Sequence, residues 1–181
     1  HACAKAVVAL HGGVFPNNAA ALATLPGIGR STAAAIAVFC FGERVAILDG
    51  NVKRVLTRWL GYEHDLAIAT HEKALWALAQ EQVPARSVES YTQGLMDLGA
   101  TLCTQRAPAC TACPLKADCR ALVSGQPERF PVKTRKLKRS QRSNALLWLE
   151  HRDAVWLTQR PAKGVWAGLW TLPLFDTLPQ L

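Results

Sequence analysis

Four cysteines fall within seventeen residues, as Cys103-TQRAPA-Cys110-TA-Cys113-PLKAD-Cys119, and nothing else in the chain narrows its possible folds as far. Intervals of six, two and five residues allow all four thiolates to grip one ion or one cluster. No His, Asp or Glu is placed to replace one of them, which points to an all-sulfur shell and hence to an iron–sulfur cluster. Zinc is the rival. Its structural sites mostly pair two Cys-x-x-Cys knuckles about 12 to 20 residues apart, whereas only Cys110 and Cys113 form a knuckle here. Disulfides are the weakest of the three readings. Residues 1–11 read as a helix and not as a secretory segment, the chain is basic, and Cys3 and Cys40 stand in apolar helical runs.

The 181 residues suffice for one domain and part of a second, and a hydrophobic content of 50% supports a packed core and excludes a disordered chain. A formal charge of +8 and a pI near 9.5 favour a polyanionic partner, since Lys and Arg that displace phosphate counterions supply most non-specific affinity for nucleic acid. The longest uncharged apolar run, residues 31–41, is too short for a bilayer, which needs about 20 residues. The expected setting is therefore soluble, cytoplasmic and nucleoid-associated, with no membrane partner. The chain opens on His1 with helical patterning already under way, so an excised fragment whose beginning lies elsewhere is expected.

A helix over residues 1–11 is broken by Gly12-Gly13, and Asn17 or Asn18 can cap a second helix running through Leu25. The turn Pro26-Gly27-Ile28-Gly29 then leads into the small apolar helix AAAIAVFCF. Glycines in such a turn permit left-handed dihedrals and let a phosphate approach the exposed N–H groups that open the next helix, although a plain helical hairpin uses the same turn. Val52, Val55, Leu56, Trp59 and Leu60 repeat at helical spacing, which places Asp49 at or just before a helix N-terminus. An ordinary cap explains Asp49 by itself. Ala74, Leu75, Leu78 and Ala79 line a further helix ended by Pro84, and a helix over residues 88–102 carries Tyr91, Leu95, Leu98 and Leu102 inward before delivering Cys103. His64 and His71 read as surface or capping residues with no partner at ligand spacing, and Met96 and Asp97 as structural. Residues 124–142 form a basic linker, with seven Lys and Arg between Arg129 and Arg142 and no acid in that run. Beyond it, residues 145–151 and 154–160 read as strands turning at Arg152-Asp153, followed by a Trp-rich segment whose indoles are expected in a core.

LPGIGRST, ILDGNVKRV, MDLGATLC and the four-cysteine loop occur in one order, and together they resemble the MutY-type adenine DNA glycosylases of the helix-hairpin-helix superfamily. The similarity extends to RP-x-x-G-x-W-x-G-L-W at residues 160–170, which is similar to the opening of that family's Nudix-like C-terminal domain. The resemblance implies a mainly α fold: a helix-hairpin-helix glycosylase domain over residues 1–123 with a [4Fe-4S] loop at 103–119, the linker 124–142, and the truncated start of an α+β Nudix-like domain at 143–181. Cys103, Cys110, Cys113 and Cys119 would hold the cluster. The implied partner is double-stranded DNA containing an adenine mismatch, bound by a monomer. The implied activity is removal of adenine opposite 8-oxoguanine or guanine. An endonuclease III-like bifunctional glycosylase is the near alternative, but Ser31 stands where those relatives carry a Lys nucleophile, and without an amine no Schiff base forms.

A base must be flipped out of the duplex to be excised, so the flanking phosphates need holding, and Gly27, Gly29, Arg30, Ser31 and Arg106 are the expected DNA-binding residues. Breaking the N-glycosidic bond builds positive charge on the sugar, and a carboxylate beneath it stabilises that transition state. Asp49 takes this role, with Asn51 assisting near the sugar. The family's proton-donating Glu belongs to a helix upstream of this stretch, and Glu43, Glu63 and Glu72 do not match its motif. The chain alone is therefore expected to be inactive, a non-catalytic DNA-binding iron–sulfur fragment of an active parent.

Overall fold

The computed structural model describes residues 1–134, 141 and 143–176, and contacts divide the chain into two units, His1–Lys136 and Leu137–Leu181. The described residues of the first unit are helical. Helix α1 (Ala2–His11) stops at Gly12, whose left-handed φ of 59° returns its N–H to the Val7 carbonyl. Helix α2 (Ala19–Leu22) is capped by the Asn18 side chain, which accepts from Ala21 N at 2.9 Å. It ends at Leu22 and does not run through Leu25, because a residue before proline is driven out of the helical region and Pro26 offers no N–H. Helix α3 (Arg30–Phe41) is built on alanines, and Leu22 and Leu25 pack into the shallow surface of Ala33 and Ala37. That packing holds the hairpin closed.

Helix α4 (Gly50–Leu60) organises the rest of the unit, lying against α6 (Val88–Thr101) and α7 (Arg120–Val123). Val52, Val55 and Leu56 are buried as their spacing predicts, and Trp59 and Leu60 are half-buried against the same core. Burying a Val or Leu completely stabilises the fold by about 1.5–3 kcal/mol, so this stripe alone anchors the helix. Helix α5 (Ala69–Glu81) contributes Leu75, Trp76 and Ala79 to that core. Ala74 is exposed, against expectation, since it lies beside the buried stripe and not within it. The helix also ends at Glu81, before Pro84, where Val83 turns inward to fill the core. Cys40 is exposed at the end of α3, not enclosed by apolar neighbours.

Past α7, Phe130 is buried, and Val132 accepts from Leu66 N at 3.0 Å. Both Asp65 carboxylate oxygens take hydrogen bonds from Thr134, and these bonds with a further one from Ala67 hold the Asp65 carboxyl below its usual range. Of the linker's cations, Arg129 and Lys133 are exposed, while Arg135, Lys136, Lys138, Arg139 and Arg142 lie outside the described residues.

The described residues of the second unit form three antiparallel pairs: β1 (Ala145–Leu146) with β6 (Leu174–Phe175), β2 (Glu150–His151) with β3 (Ala154–Val155), and β4 (Thr158–Gln159) with β5 (Trp170–Thr171). Arg152 and Asp153 make the predicted hairpin turn, both with positive φ. The strands are shorter than the alternating runs suggest, and the indoles of the Trp-rich segment, Trp166 and Trp170, are exposed against expectation, as are Trp148 and Trp156, all at 57% or more. Among the described residues of this unit, two-residue pairings provide no second layer to cover them. No helix among the described residues is long and apolar enough to cross a membrane.

Candidate functional site

The segment between α3 and α4 is clamped along its length. Glu43 Oε2 accepts from Ala19 N at 2.6 Å, Arg44 donates to the Val83 carbonyl at 2.6 Å, and the Gln80 side chain accepts from Ala46 N at 2.9 Å while donating to the Arg44 carbonyl. This strap ends on Asp49, which is half-buried with extended backbone, and Asp49 Oδ1 accepts from Val52 N at 2.7 Å. The predicted cap is therefore present. Its second carboxylate oxygen has no partner among the described residues and stays available at the positive end of the α4 dipole.

Asn51, the second residue of α4, does not cap the helix. Its Oδ1 accepts from Arg54 at 2.9 Å, and the same guanidinium donates to the Gly99 carbonyl at 2.5 Å and to the Cys103 carbonyl at 2.7 Å. Helix α6 crosses very close to α4 at this point. A Cβ on Gly99 would stand 2.7 Å from the Asn51 Cβ and 3.1 Å from its carbonyl carbon and oxygen. Only glycine fits. Gly99→Ala is expected to destabilise the protein by about 1–3 kcal/mol, the usual cost of overpacking a closed contact. A denaturant midpoint equal to that of the unsubstituted chain would count against this reading.

One turn further along the same face, Arg58 is only 2% exposed and has no acidic partner among the described residues. It donates to the carbonyls of Thr104 at 2.7 Å, Gln105 at 3.1 Å and Phe130 at 3.3 Å, and reaches the Cys103 sulfur at 3.3 Å. Arg58 also lines an apolar pocket shared by all four cysteines of the loop, Cys103, Cys110, Cys113 and Cys119. Burial first, then the charges of Cys103, Cys119 and Cys113, push the Cys110 thiol above its ordinary range, so the four sulfurs lie within electrostatic reach of one another. Among the described residues no group of three His, Cys, Asp or Glu side chains converges tightly enough to hold a metal ion. Four thiols around one apolar pocket, with a buried cation beneath, nevertheless fit the donor set and charge of an all-cysteine iron–sulfur cluster.

The hairpin presents the other predicted residues. Gly27 has the left-handed φ of 79° that the turn requires, whereas Gly29 is extended with φ −80° as the N-cap of α3, so only one of the two glycines supplies conformational freedom. No side chain among the described residues caps α3. Arg30 is exposed and its guanidinium lies 3.9 Å from the centroid of the Trp76 ring, while Ser31 is half-buried in the first turn. Arg106 is exposed at the tip of the cysteine loop, where Glu128 accepts from Ala107 N at 2.8 Å.

Residues 10–39 match the family model described as the helix-hairpin-helix motif. The adenine DNA glycosylase of Buchnera aphidicola subsp. Acyrthosiphon pisum (strain APS) is 36% identical over 163 residues, covering 90% of this chain and 47% of the relative. The adenine DNA glycosylase of Homo sapiens is 33% identical over 216 residues, covering 94% of this chain and 40% of its own length. The chain is of the MutY type, within the helix-hairpin-helix superfamily. A solved thermostable thymine-DNA glycosylase shares the mainly helical fold, with a TM-score of 0.60 and 33% identity over 68% of this chain and 56% of that one. The MutY-type chain thus spans less than half the length of these two adenine-specific relatives.

Arg54 and Arg58, which join α4 to the cysteine loop, escape a reading by motif, whereas Asn51 is among the expected site residues. Asn51, Arg54 and Arg58 form an i, i+3, i+7 file beside the apolar stripe of α4, and such a file is by default a solvated face. Gly99 stands in a segment that reads as plain helix. The glutamates are accounted for: Glu43 binds the start of α2, Glu72 pairs with Lys53, and Glu63 faces Arg129 at 3.7 Å.

Proposed function

We propose that this chain is the hairpin and cluster-loop part of a monofunctional adenine DNA glycosylase acting on adenine opposite 8-oxoguanine or guanine in duplex DNA. Residues 1–123 form the glycosylase domain, 124–142 the basic connector, and 143–181 the opening of a Nudix-like domain. One observation carries the reading. A carboxylate with a free oxygen, Asp49, sits at a helix N-terminus, and Asn51 in the same helix turn is tied through Arg54 to the loop that begins at Cys103.

Gly27, Gly29, Arg30 and Ser31 offer the uncapped first turn of α3 to one DNA phosphate, and Arg106 reaches a second. The Trp76 ring holds one face of Arg30 and leaves its edge donors free for phosphate. Asp49 faces the sugar of the extruded nucleotide and stabilises the positive charge that grows as the bond to adenine lengthens. Asn51, held by Arg54, orients the sugar from the same helix turn. Cys103, Cys110, Cys113 and Cys119 would hold a [4Fe-4S] cluster, which supplies a rigid cross-link keeping Arg106 in place. Ser31 offers no amine, so the strand is left uncut.

Proton donation to the departing base is not assigned to Glu43, Glu63 or Glu72, each of which has a partner in the fold. The 181-residue chain is accordingly expected to bind duplex DNA with steep salt dependence and to release no adenine from a duplex with adenine opposite 8-oxoguanine. Binding is read by fluorescence anisotropy across a salt series, and excision by alkaline cleavage of the product strand. Failure to bind duplex DNA at low salt would overturn the assignment, and adenine release would return Glu43 to consideration as the acid.

A further inference from the structure

The loop between α4 and α5 brings together two imidazoles that are seven residues apart in the chain. The His64 and His71 ring centroids lie 4.9 Å apart with a 39° tilt, and His64 stands edge-on to Tyr62 at 5.0 Å. The His71 ring is held, while His64 is exposed and meets its neighbours through ring contacts alone. Tyr62 donates its hydroxyl to the His71 carbonyl at 2.8 Å, and His71 Nδ1 lies 3.1 Å from the Asp65 carbonyl. A carbonyl only accepts, so the contact places a proton on His71 Nδ1, and in the neutral ring Nε2 is then the nitrogen with the lone pair. A metal-binding histidine is prepared in this way, with the second nitrogen fixed by a backbone acceptor.

The geometry points to a divalent transition-metal site on His64 and His71, taking Zn²⁺ or a neighbouring ion of that row, distinct from the four-cysteine pocket. Two imidazoles suit zinc, copper and nickel, and water fills the remaining positions, which makes the site exchangeable. Its consequence lies in what the loop holds. Asp65 binds Thr134 and Leu66 binds Val132, so an ion bridging His64 to the first turn of α5 would brace the loop to which residues 132–134 are fastened.

The test is a Zn²⁺ titration of the chelator-washed protein with isotope-labelled histidine, followed through the imidazole resonances. His64 and His71 should shift together, at lower Zn²⁺ than His1, His11 and His151. Binding in His64→Gln or His71→Gln should weaken by about tenfold or more, with the amide spectrum otherwise unchanged. His64 is exposed, so His64→Gln tests the site without disturbing the core. Zinc taken up while both imidazoles stay unmoved, independent responses of the two rings, or unaltered affinity in His64→Gln would each overturn the proposal.

Discussion

Asp49→Asn, introduced into the full-length protein, should slow adenine release from a duplex with adenine opposite 8-oxoguanine by about 10²–10³-fold, the usual cost of losing one transition-state electrostatic partner. Duplex affinity should stay within a few-fold. The separation follows from the two tasks of the side chain. Asn caps a helix about as well as Asp and can still accept from Val52 N, so the start of α4 survives the change. What disappears is the negative charge, and that charge matters only when the sugar becomes cationic. Asp49→Ala should show the same chemical defect and lose about 1 kcal/mol of stability as well, since the cap goes with it. Single-turnover kinetics and denaturant unfolding separate these effects. Near-normal excision by Asp49→Asn would reduce Asp49 to a cap.

The largest effect on stability is expected at Arg58. Substituting Met removes the guanidinium from the buried carbonyl of Phe130 and from the partly buried carbonyls of Thr104 and Gln105. An unpaired buried acceptor costs about 1–3 kcal/mol and a partly buried one less, so Arg58→Met should lose on the order of 3 kcal/mol. The loss falls on the cysteine loop, because Arg58 also meets the Cys103 sulfur and is the buried cation of that pocket. Iron bound per chain should therefore drop along with the unfolding midpoint. Arg58→Lys should rescue little, since one ammonium on a flexible stem cannot serve acceptors spread over Thr104, Gln105 and Phe130. Full iron content and an unchanged midpoint in Arg58→Met would remove Arg58 from the loop's supports.

Recognition of the hairpin required no structure, since a Pro-Gly-Ile-Gly turn before an alanine-rich helix is a local pattern, and its match to the helix-hairpin-helix motif over residues 10–39 follows from that. The glycines were only half legible. Gly27 and Gly29 look alike in the sequence, but a turn of this kind needs one positive φ, and the second glycine serves as the helix cap.

What the sequence determined by itself is what depends on neighbours a few residues away: the four-cysteine spacing, the cap at Asp49 and its bond to Val52, and the buried stripe of α4. Turns, caps and helix faces are set by interactions over three or four residues, so the order of residues encodes them directly. Tertiary structure alone decided the rest. Arg54 and Arg58 reach Cys103 across 49 and 45 residues, Gly99 touches Asn51 from another helix, and His64 meets His71 because a loop folds back. The exposure of Trp148, Trp156, Trp166 and Trp170 was equally hidden. An indole in a strand-like run has the same sequence signature whether or not a second layer covers it, and burial is fixed by how distant elements pack.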